Sequence, residues 1–199
     1  PALLSDLRTP IQIPELIHLG HLAPLRSKVT DLTLSTDGVH KRGGEFIESE
    51  LQKSVDTAAQ NTTATREAIR LAGDRRSWLF FCVGVDHAYN IRDELRDNGV
   101  LAETITGKTP KAEREKIIAA FKAGRIKALT NANVLTTGFD HPDLDMIVML
   151  RPTMSPSLYV QMAGRGMRPK SHTDHCMVLD FAGVVRTHGP IIYVDPGRK

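Results

Sequence analysis

The sequence predicts a three-layer α/β domain with a mainly parallel sheet flanked by helices. Three observations predict it. Apolar runs of strand length recur at Trp78–Val83, Met146–Leu150 and His175–Phe181, as strands covered on both faces require. Segments with helical periodicity lie between such runs. The runs give way at their carboxyl ends to glycines and small polar residues, where open α/β sheets bind ligands.

Taken in order, residues 1 to about 44 are the least regular. Pro10–Pro14 reads as extended and Pro14–Gly20 as a short helix ending at glycine. His21–Arg26 and Asp31–Ser35 each read as an edge strand, since Pro24 is tolerated only at an edge. Lys41-Arg42-Gly43-Gly44 reads as a flexible basic turn. The spacing of Phe46, Leu51 and Val55, then of Ala64, Ala68, Ile69 and Ala72, predicts helices over Glu45–Val55 and Thr62–Ala72. Trp78–Val83 is a buried strand, and Gly84-Val85-Asp86-His87 turns into a helix that runs through Leu95. A strand ending in glycine at a helix N-terminus offers backbone N–H groups to an anion.

Val100–Ile105 is the next strand, and Thr106-Gly107-Lys108-Thr109 after it imitates a phosphate-binding P-loop. The first glycine of such a loop belongs five positions before Gly107, where the chain has Ala102 inside a strand, and Pro110 follows at once. The helix Lys111–Ala123 turns Ile117, Ile118 and Phe121 inward and leaves a basic side. Three parts result: a linker and extension over 1–73, the sheet domain over 74–185, and a tail over 186–199.

The stretch Leu129–Pro169 organises the rest. It leaves an apolar strand for Asn131-Ala132-Asn133 and Thr136-Thr137-Gly138-Phe139-Asp140, then returns through Met146–Leu150. Ser155 can cap a helix whose first residue, Pro156, has no N–H to lose. Spacings of four and three put Gln161, Arg165 and Arg168 on one helical face. Paired guanidiniums at a sheet edge point to recognition of an anion such as phosphate.

Composition sets limits. The chain of 199 residues is 41% hydrophobic and 25% charged, which argues against disorder, and it can bury about 70% of its unfolded surface. The 26 Lys+Arg exceed the 23 Asp+Glu by three, which permits a nucleic-acid patch without demanding one. Cys82 and Cys176 fall in predicted strands with no CxxC pair, so reduced, buried thiols are expected. No signal peptide or long apolar span is read, and a soluble cytoplasmic protein without membrane contact is expected. Pro1 in place of methionine points to a processed chain or a fragment. His172, His175 and Cys176 lack a second ligand cluster, so no metal site is expected. Asp180 ends its strand without a following acid and is expected to be structural.

Gln161-x-x-Gly164-Arg165-x-x-Arg168 after the Thr130–Asp140 loop resembles motifs V and VI of the superfamily 2 helicases, and the Gly84 turn resembles their motif IV. Asp180-x-Ala182-Gly183 and His188-Gly189-Pro190, with Gly43-Gly44, resemble the RadD-like branch among DEAD/DEAH-related helicases. The resemblance implies a RecA-like (P-loop NTPase-like) fold and the C-terminal motor domain of an ATP-dependent helicase or translocase. ATP and Mg2+ would be bound mainly by an N-terminal RecA-like domain of the same protein. Arg165 and Arg168 would be arginine fingers, with Gly138, Asp140 and Gln161 at the nucleotide. Gly84, Val85, Asp86 and His87, then Thr106, Gly107 and Lys108, then Asn131, Ala132 and Asn133 would follow the backbone of single-stranded or duplex nucleic acid, DNA favoured. The chain departs from the pattern at Gln161 (usually histidine), Met162 (often arginine) and Asn133 (commonly an acid). Two other readings stay open: a nucleic-acid-binding module without motor activity, and a degenerate RecA-like domain kept for protein contacts.

Overall fold

The computed structural model describes residues 13–135 and 139–191. In chain order the elements are α1 (Ile13–His18), β1 (Leu25–Lys28), β2 (Lys41–Arg42), β3 (Glu45–Phe46), α2 (Glu48–Val55), α3 (Ala58–Ala72), β4 (Trp78–Phe81) and α4 (Val85–Asp97). They continue as β5 (Ala102–Ile105), α5 (Lys111–Lys122), β6 (Ala128–Asn131), β7 (Met146–Met149), α6 (Pro156–Gly164), β8 (Cys176–Asp180) and α7 (Val184–His188). Six strands form one sheet in the order β1-β8-β7-β4-β6-β5, with every pairing parallel.

Every residue of β4, β6 and β7 is buried, which is why β4 and β7 read as unbroken apolar runs. Successive side chains point to opposite faces, so each strand feeds two cores. Trp78, Phe80, Met146, Val148, Met177 and Leu179 pack with Leu51 and Val55 of α2, Ala64 and Ala68 of α3, and Ile91 and Leu95 of α4. Leu79, Phe81, Ile147, Met149 and Val178 pack with Phe121 of α5, Tyr159 and Met162 of α6, and Val184 of α7. The expected three layers follow. Residues from the expected 1–73 extension take part in the same assembly: β1 is the edge strand beside β8, and Leu51, Ala64 and Ala68 belong to the first core.

The structure departs from expectation in several places. Lys41-Arg42-Gly43-Gly44 is the start of a tight antiparallel hairpin, in which Gly43 and Gly44 take φ of 60° and 83°. Positive φ at both central residues is what a two-residue hairpin turn demands. Glu45 and Phe46 therefore complete β3 instead of opening a helix. The Glu45 carboxylate accepts from the Met154 N–H at 2.9 Å and from the Thr153 hydroxyl, which fastens the hairpin to the loop before α6. Asp31–Ser35 forms no strand, because the Glu67 carboxylate takes the N–H groups of Asp31 and Leu32. Val184–His188, across the expected start of the 186–199 tail, is the short helix α7; Asp180 caps it, accepting from Val184 N at 3.1 Å and Val185 N at 2.9 Å. That is a structural duty, and burial raises the Asp180 carboxyl above its usual range against these same bonds.

Gly166 carries a packing constraint. A Cβ there would stand 2.6 Å from Cys176 Sγ and 3.0 Å from Ile147 Cδ1, both inside the buried sheet. Gly166→Ala is expected to cost about 1–3 kcal/mol through overpacking, read as a lower denaturant midpoint. An unchanged midpoint would mean that the motif VI turn floats free of β7 and β8.

Candidate nucleotide and nucleic-acid interface

Parallel pairing brings the carboxyl ends of the central strands to one edge: Phe81 pairs with Asn131 and Met149, Ile105 with Asn131, and Met149 with Asp180. The turns after β4, β5, β6 and β7 all leave from this edge, where ligands of such sheets bind.

The arginines are set by α6. Ser155 caps it as expected, its hydroxyl accepting from Leu158 N at 3.1 Å, and Pro156 opens it. The helix stops at Gly164, so Arg165 is its C-cap and Arg168 lies beyond it. The single helical face expected for Gln161, Arg165 and Arg168 is therefore not formed. The last turn tightens, Arg165 N donating to the Met162 carbonyl at 3.3 Å and Gly166 N to the Ala163 carbonyl at 3.0 Å, and Lys170 Nζ ties it by donating to the carbonyls of Gly166, Arg168 and Pro142. Burial pulls the Lys170 ammonium below its usual pKa.

Both arginines nonetheless meet the same short segment. Arg165 Nη1 donates to the Phe139 carbonyl at 2.6 Å, and Nε to the Gln161 carbonyl at 3.3 Å. Arg168 Nε lies 3.4 Å from Asp140 Oδ1, with both side chains more than half exposed (55% and 63%). So exposed a pair is held weakly, and the Arg168 fork stays open to a ligand. Gln161 Nε2 donates to Ser157 Oγ at 3.2 Å. Gly138 lies outside the described residues.

The nucleic-acid candidates divide by burial. Gly84 is the buried N-cap of α4; Val85 is half-buried and Asp86 exposed. His87 is buried, its Nδ1 accepts from Val83 N at 3.2 Å, and burial pulls its pKa down to about 4. A neutral, enclosed imidazole holds this turn together and presents no charge to a phosphate. Thr106 is fully buried and its hydroxyl accepts from Lys108 N at 3.2 Å, while Gly107 and Lys108 are exposed. Asn131 is buried, donating to the Phe80 carbonyl at 2.9 Å and accepting from Leu135 N at 3.4 Å; Ala132 is buried beside it. Asn133 is exposed with φ of 62°, a left-handed conformation that asparagine tolerates better than most residues. The exposed polar groups offered by these turns are therefore Asp86, Lys108 and Asn133.

Two residues at this edge escape a reading of local spacing. Arg151 follows the buried run Met146–Leu150 directly and donates to Asn133 Oδ1 and, at 3.0 Å, to the Val83 carbonyl. Glu48 of α2 accepts from Asn133 Nδ2 at 3.3 Å and pairs with Arg151 at 3.4 Å. A charged residue at the carboxyl end of a buried strand was the signal for Arg151; nothing local marks Glu48.

The phosphate-cradling loop that the chain imitates is not built at 106–109. Thr106 N donates to Thr109 Oγ1 and Pro110 caps α5, so the turn is closed on itself by its own side chains. His172, His175 and Cys176 point to separate partners: His172 to Asp145 at 2.9 Å, His175 to Asp174 at 2.7 Å, and Cys176 into the core, where burial pushes its thiol up to about 12. Cys82 is likewise a buried free thiol, raised by burial. Among the described residues, no cluster of three or more His, Cys, Asp or Glu side chains is placed to hold a metal, and no helix is long and apolar enough to cross a membrane. Among the described residues, this edge offers the Arg165 and Arg168 guanidiniums beside Phe139 and Asp140 and no phosphate-cradling loop at 106–109.

Residues 61–170, more than half of the chain, match the helicase conserved C-terminal domain family. The chain is 32% identical over 161 residues to IRC3 of Saccharomyces cerevisiae, named as an ATP-dependent helicase, covering 79% of this chain and 23% of that protein. It is 34% identical over 170 residues to irc3 of Schizosaccharomyces pombe, named as a mitochondrial ATP-dependent helicase, covering 85% and 28%. It thus spans about a quarter of these relatives' length. A fragment structure described as an HsdR subunit of a type I restriction enzyme from Vibrio vulnificus shares the fold, with TM-score 0.66 and 21% identity over 91% of this chain and 37% of that one. The fold is RecA-like, and the chain belongs to the helicase conserved C-terminal domain family.

Proposed function

We propose that this chain is the second RecA-like half of an ATP-driven nucleic-acid helicase or translocase, and that it supplies Arg165 and Arg168 to ATP held by an N-terminal RecA-like domain of the same protein. The observation that carries the reading is the anchoring of both guanidiniums on adjacent positions, the Phe139 carbonyl and the Asp140 carboxylate, at the ligand edge of the sheet. Arg165 is fixed; Arg168 is loosely paired and exposed, free to leave Asp140 for a phosphate when the two domains close. Asp140, once released, can meet the ribose or keep orienting the arginine turn, and Gln161 lines the same helix. The N-terminal domain would supply the phosphate loop, the Mg2+ ligands and the acid that orients water, so the isolated chain would hydrolyse no ATP. The bound metal would draw charge from the phosphates; the arginines would stabilise what develops on the transferring group.

The nucleic acid, DNA in preference, would cross the turns after β4, β5 and β6. Backbone N–H groups at the α4 N-terminus, Lys108 and Asn133 can each meet a phosphate. Scarce aromatics on these turns favour backbone tracking over base stacking. The compartment we assign is the cytoplasm; the fission-yeast relative is named mitochondrial.

A single-stranded oligonucleotide titrated into this chain is expected to bind weakly, with affinity falling steeply as salt rises. Lys108→Ala should lower that affinity about three- to ten-fold and flatten the salt slope by about 0.7. Salt-independent binding, or full affinity in Lys108→Ala, would place the strand elsewhere.

A further inference from the structure

We propose that Glu48 is a built-in stand-in for a backbone phosphate: it occupies the guanidinium of Arg151, and a bound strand takes its place there. The inference rests on the nucleic-acid reading above and names both a further phosphate-binding residue, Arg151, and the group that guards it.

Arg151 is nearly enclosed, with 13% of its side chain exposed. One end is fixed, Nη1 donating to the Val83 carbonyl at 3.0 Å and to Asn133 Oδ1. The other edge, formed by Nε and Nη2, is the fork through which a guanidinium grips an oxyanion with two parallel bonds of about 2.7–2.9 Å. Glu48 uses this edge poorly. Its Oε2 lies 3.4 Å from Nη2, and Nε is buried with no partner among the described residues. The same Oε2 is shared with Asn133 Nδ2 at 3.3 Å. A fork half used by a carboxylate that is 50% exposed is a weak ion pair, and an anion with better geometry can displace it.

A neighbour on the same helix does likewise. Gln52, one turn after Glu48, places Oε1 1.6 Å from where a Cβ of Gly84 would stand, directly over the N-cap of α4. Helix α2 thus lays a carboxylate oxygen and an amide oxygen on two of the turns assigned to the strand. Both are acceptors, as phosphate oxygens are. Asn133, where the motif commonly has an acid, accepts from Arg151 as a neutral side chain while Glu48 brings the negative charge from 85 residues away. That charge is on a separate helix and is therefore removable, which a carboxylate at position 133 would not be.

The substitution Glu48→Gln tests this with almost no change of shape. In the parent chain Arg151 is neutralised internally, so a phosphate arriving there gains little; in Glu48→Gln the full charge is available. Affinity for a single-stranded oligonucleotide at low salt should rise about three- to ten-fold, and the slope of log K against log salt should steepen by up to about 0.7, because no freed carboxylate takes up a cation in exchange for the one the phosphate releases. Arg151→Gln should weaken binding by itself only slightly and should abolish the gain in the double variant, a non-additivity that a merely structural Glu48 would not produce. Melting curves establish that each variant is folded, and Glu48→Ala serves as the second variant with the same expected direction. If Glu48→Gln binds no tighter with an unchanged slope while Lys108→Ala still weakens binding, the stand-in is overturned and the nucleic-acid reading survives. If neither the parent nor Glu48→Gln binds the oligonucleotide at low salt, both fall together.

Discussion

Replacing Arg168 with alanine in the full-length protein is expected to lower nucleic-acid-stimulated ATP turnover by roughly 10³- to 10⁵-fold, about 4 to 7 kcal/mol of transition-state stabilisation. The size follows from where the residue stands. Arg168 is beyond the end of α6, exposed, and among the described residues its side chain is held by a 3.4 Å contact to Asp140. Its removal leaves no buried group without a partner, so the loss should fall on catalysis and not on folding. ATP binding should change little, because the phosphate loop belongs to the other domain in the proposed arrangement; an interaction made only in the transition state lowers kcat without raising KM. Arg168→Lys should recover little of the rate, since a point charge does not reproduce a planar fork. A variant with parent kcat and a raised KM would instead make Arg168 a ground-state binding residue.

The second large effect is on stability. Asp145→Ala is expected to cost about 3 to 5 kcal/mol, a third or more of the margin of about 5–15 kcal/mol typical of a domain. Asp145 is fully buried at the start of β7. Its carboxylate accepts from Arg76 N at 2.8 Å, Ser77 N at 2.9 Å and His172 Nε2 at 2.9 Å. Those contacts join the turn before β4 to the loop before β8 from the edge opposite the ligand face. Alanine would leave three donors without their acceptor, that of Ser77 in a buried position, and an orphaned buried donor is costly. Asp145→Asn keeps one acceptor oxygen and should lose less. Chemical denaturation reads both; a loss below about 1 kcal/mol for Asp145→Ala with an unchanged slope would mean that solvent enters the site.

Most of the sheet was legible because burial on both faces leaves a local trace. Trp78–Phe81 and Met146–Met149 are apolar without interruption, and Ser155-Pro156 marks the start of α6 through two local rules that agree. What was illegible depends on distant partners. Asp31–Ser35 has strand-like residues but surrenders the N–H groups of Asp31 and Leu32 to Glu67, 36 residues on from Asp31. Arg165 and Arg168 have helical spacing, yet the helix ends at Gly164, and Lys170 ties the turn that follows to the distant Pro142 carbonyl. The motif residues His87, Thr106 and Asn131 were legible as positions at the right edge, but whether a side chain faces solvent or closes its own turn is decided by neighbours such as Val83 and Phe80. Glu48 and Arg151 sit 103 residues apart, and no local pattern joins them.

The assignment of Arg165 and Arg168 as the catalytic arginines is tested most directly by one comparison. The parent full-length protein and its Arg165→Ala, Arg168→Ala double variant would be assayed side by side for ATP hydrolysis at saturating nucleic acid, with ATP affinity measured separately on each. The assignment predicts turnover reduced by at least roughly 10³-fold while the ATP dissociation constant stays within a few-fold of the parent. Hydrolysis by the double variant at the parent rate would contradict it.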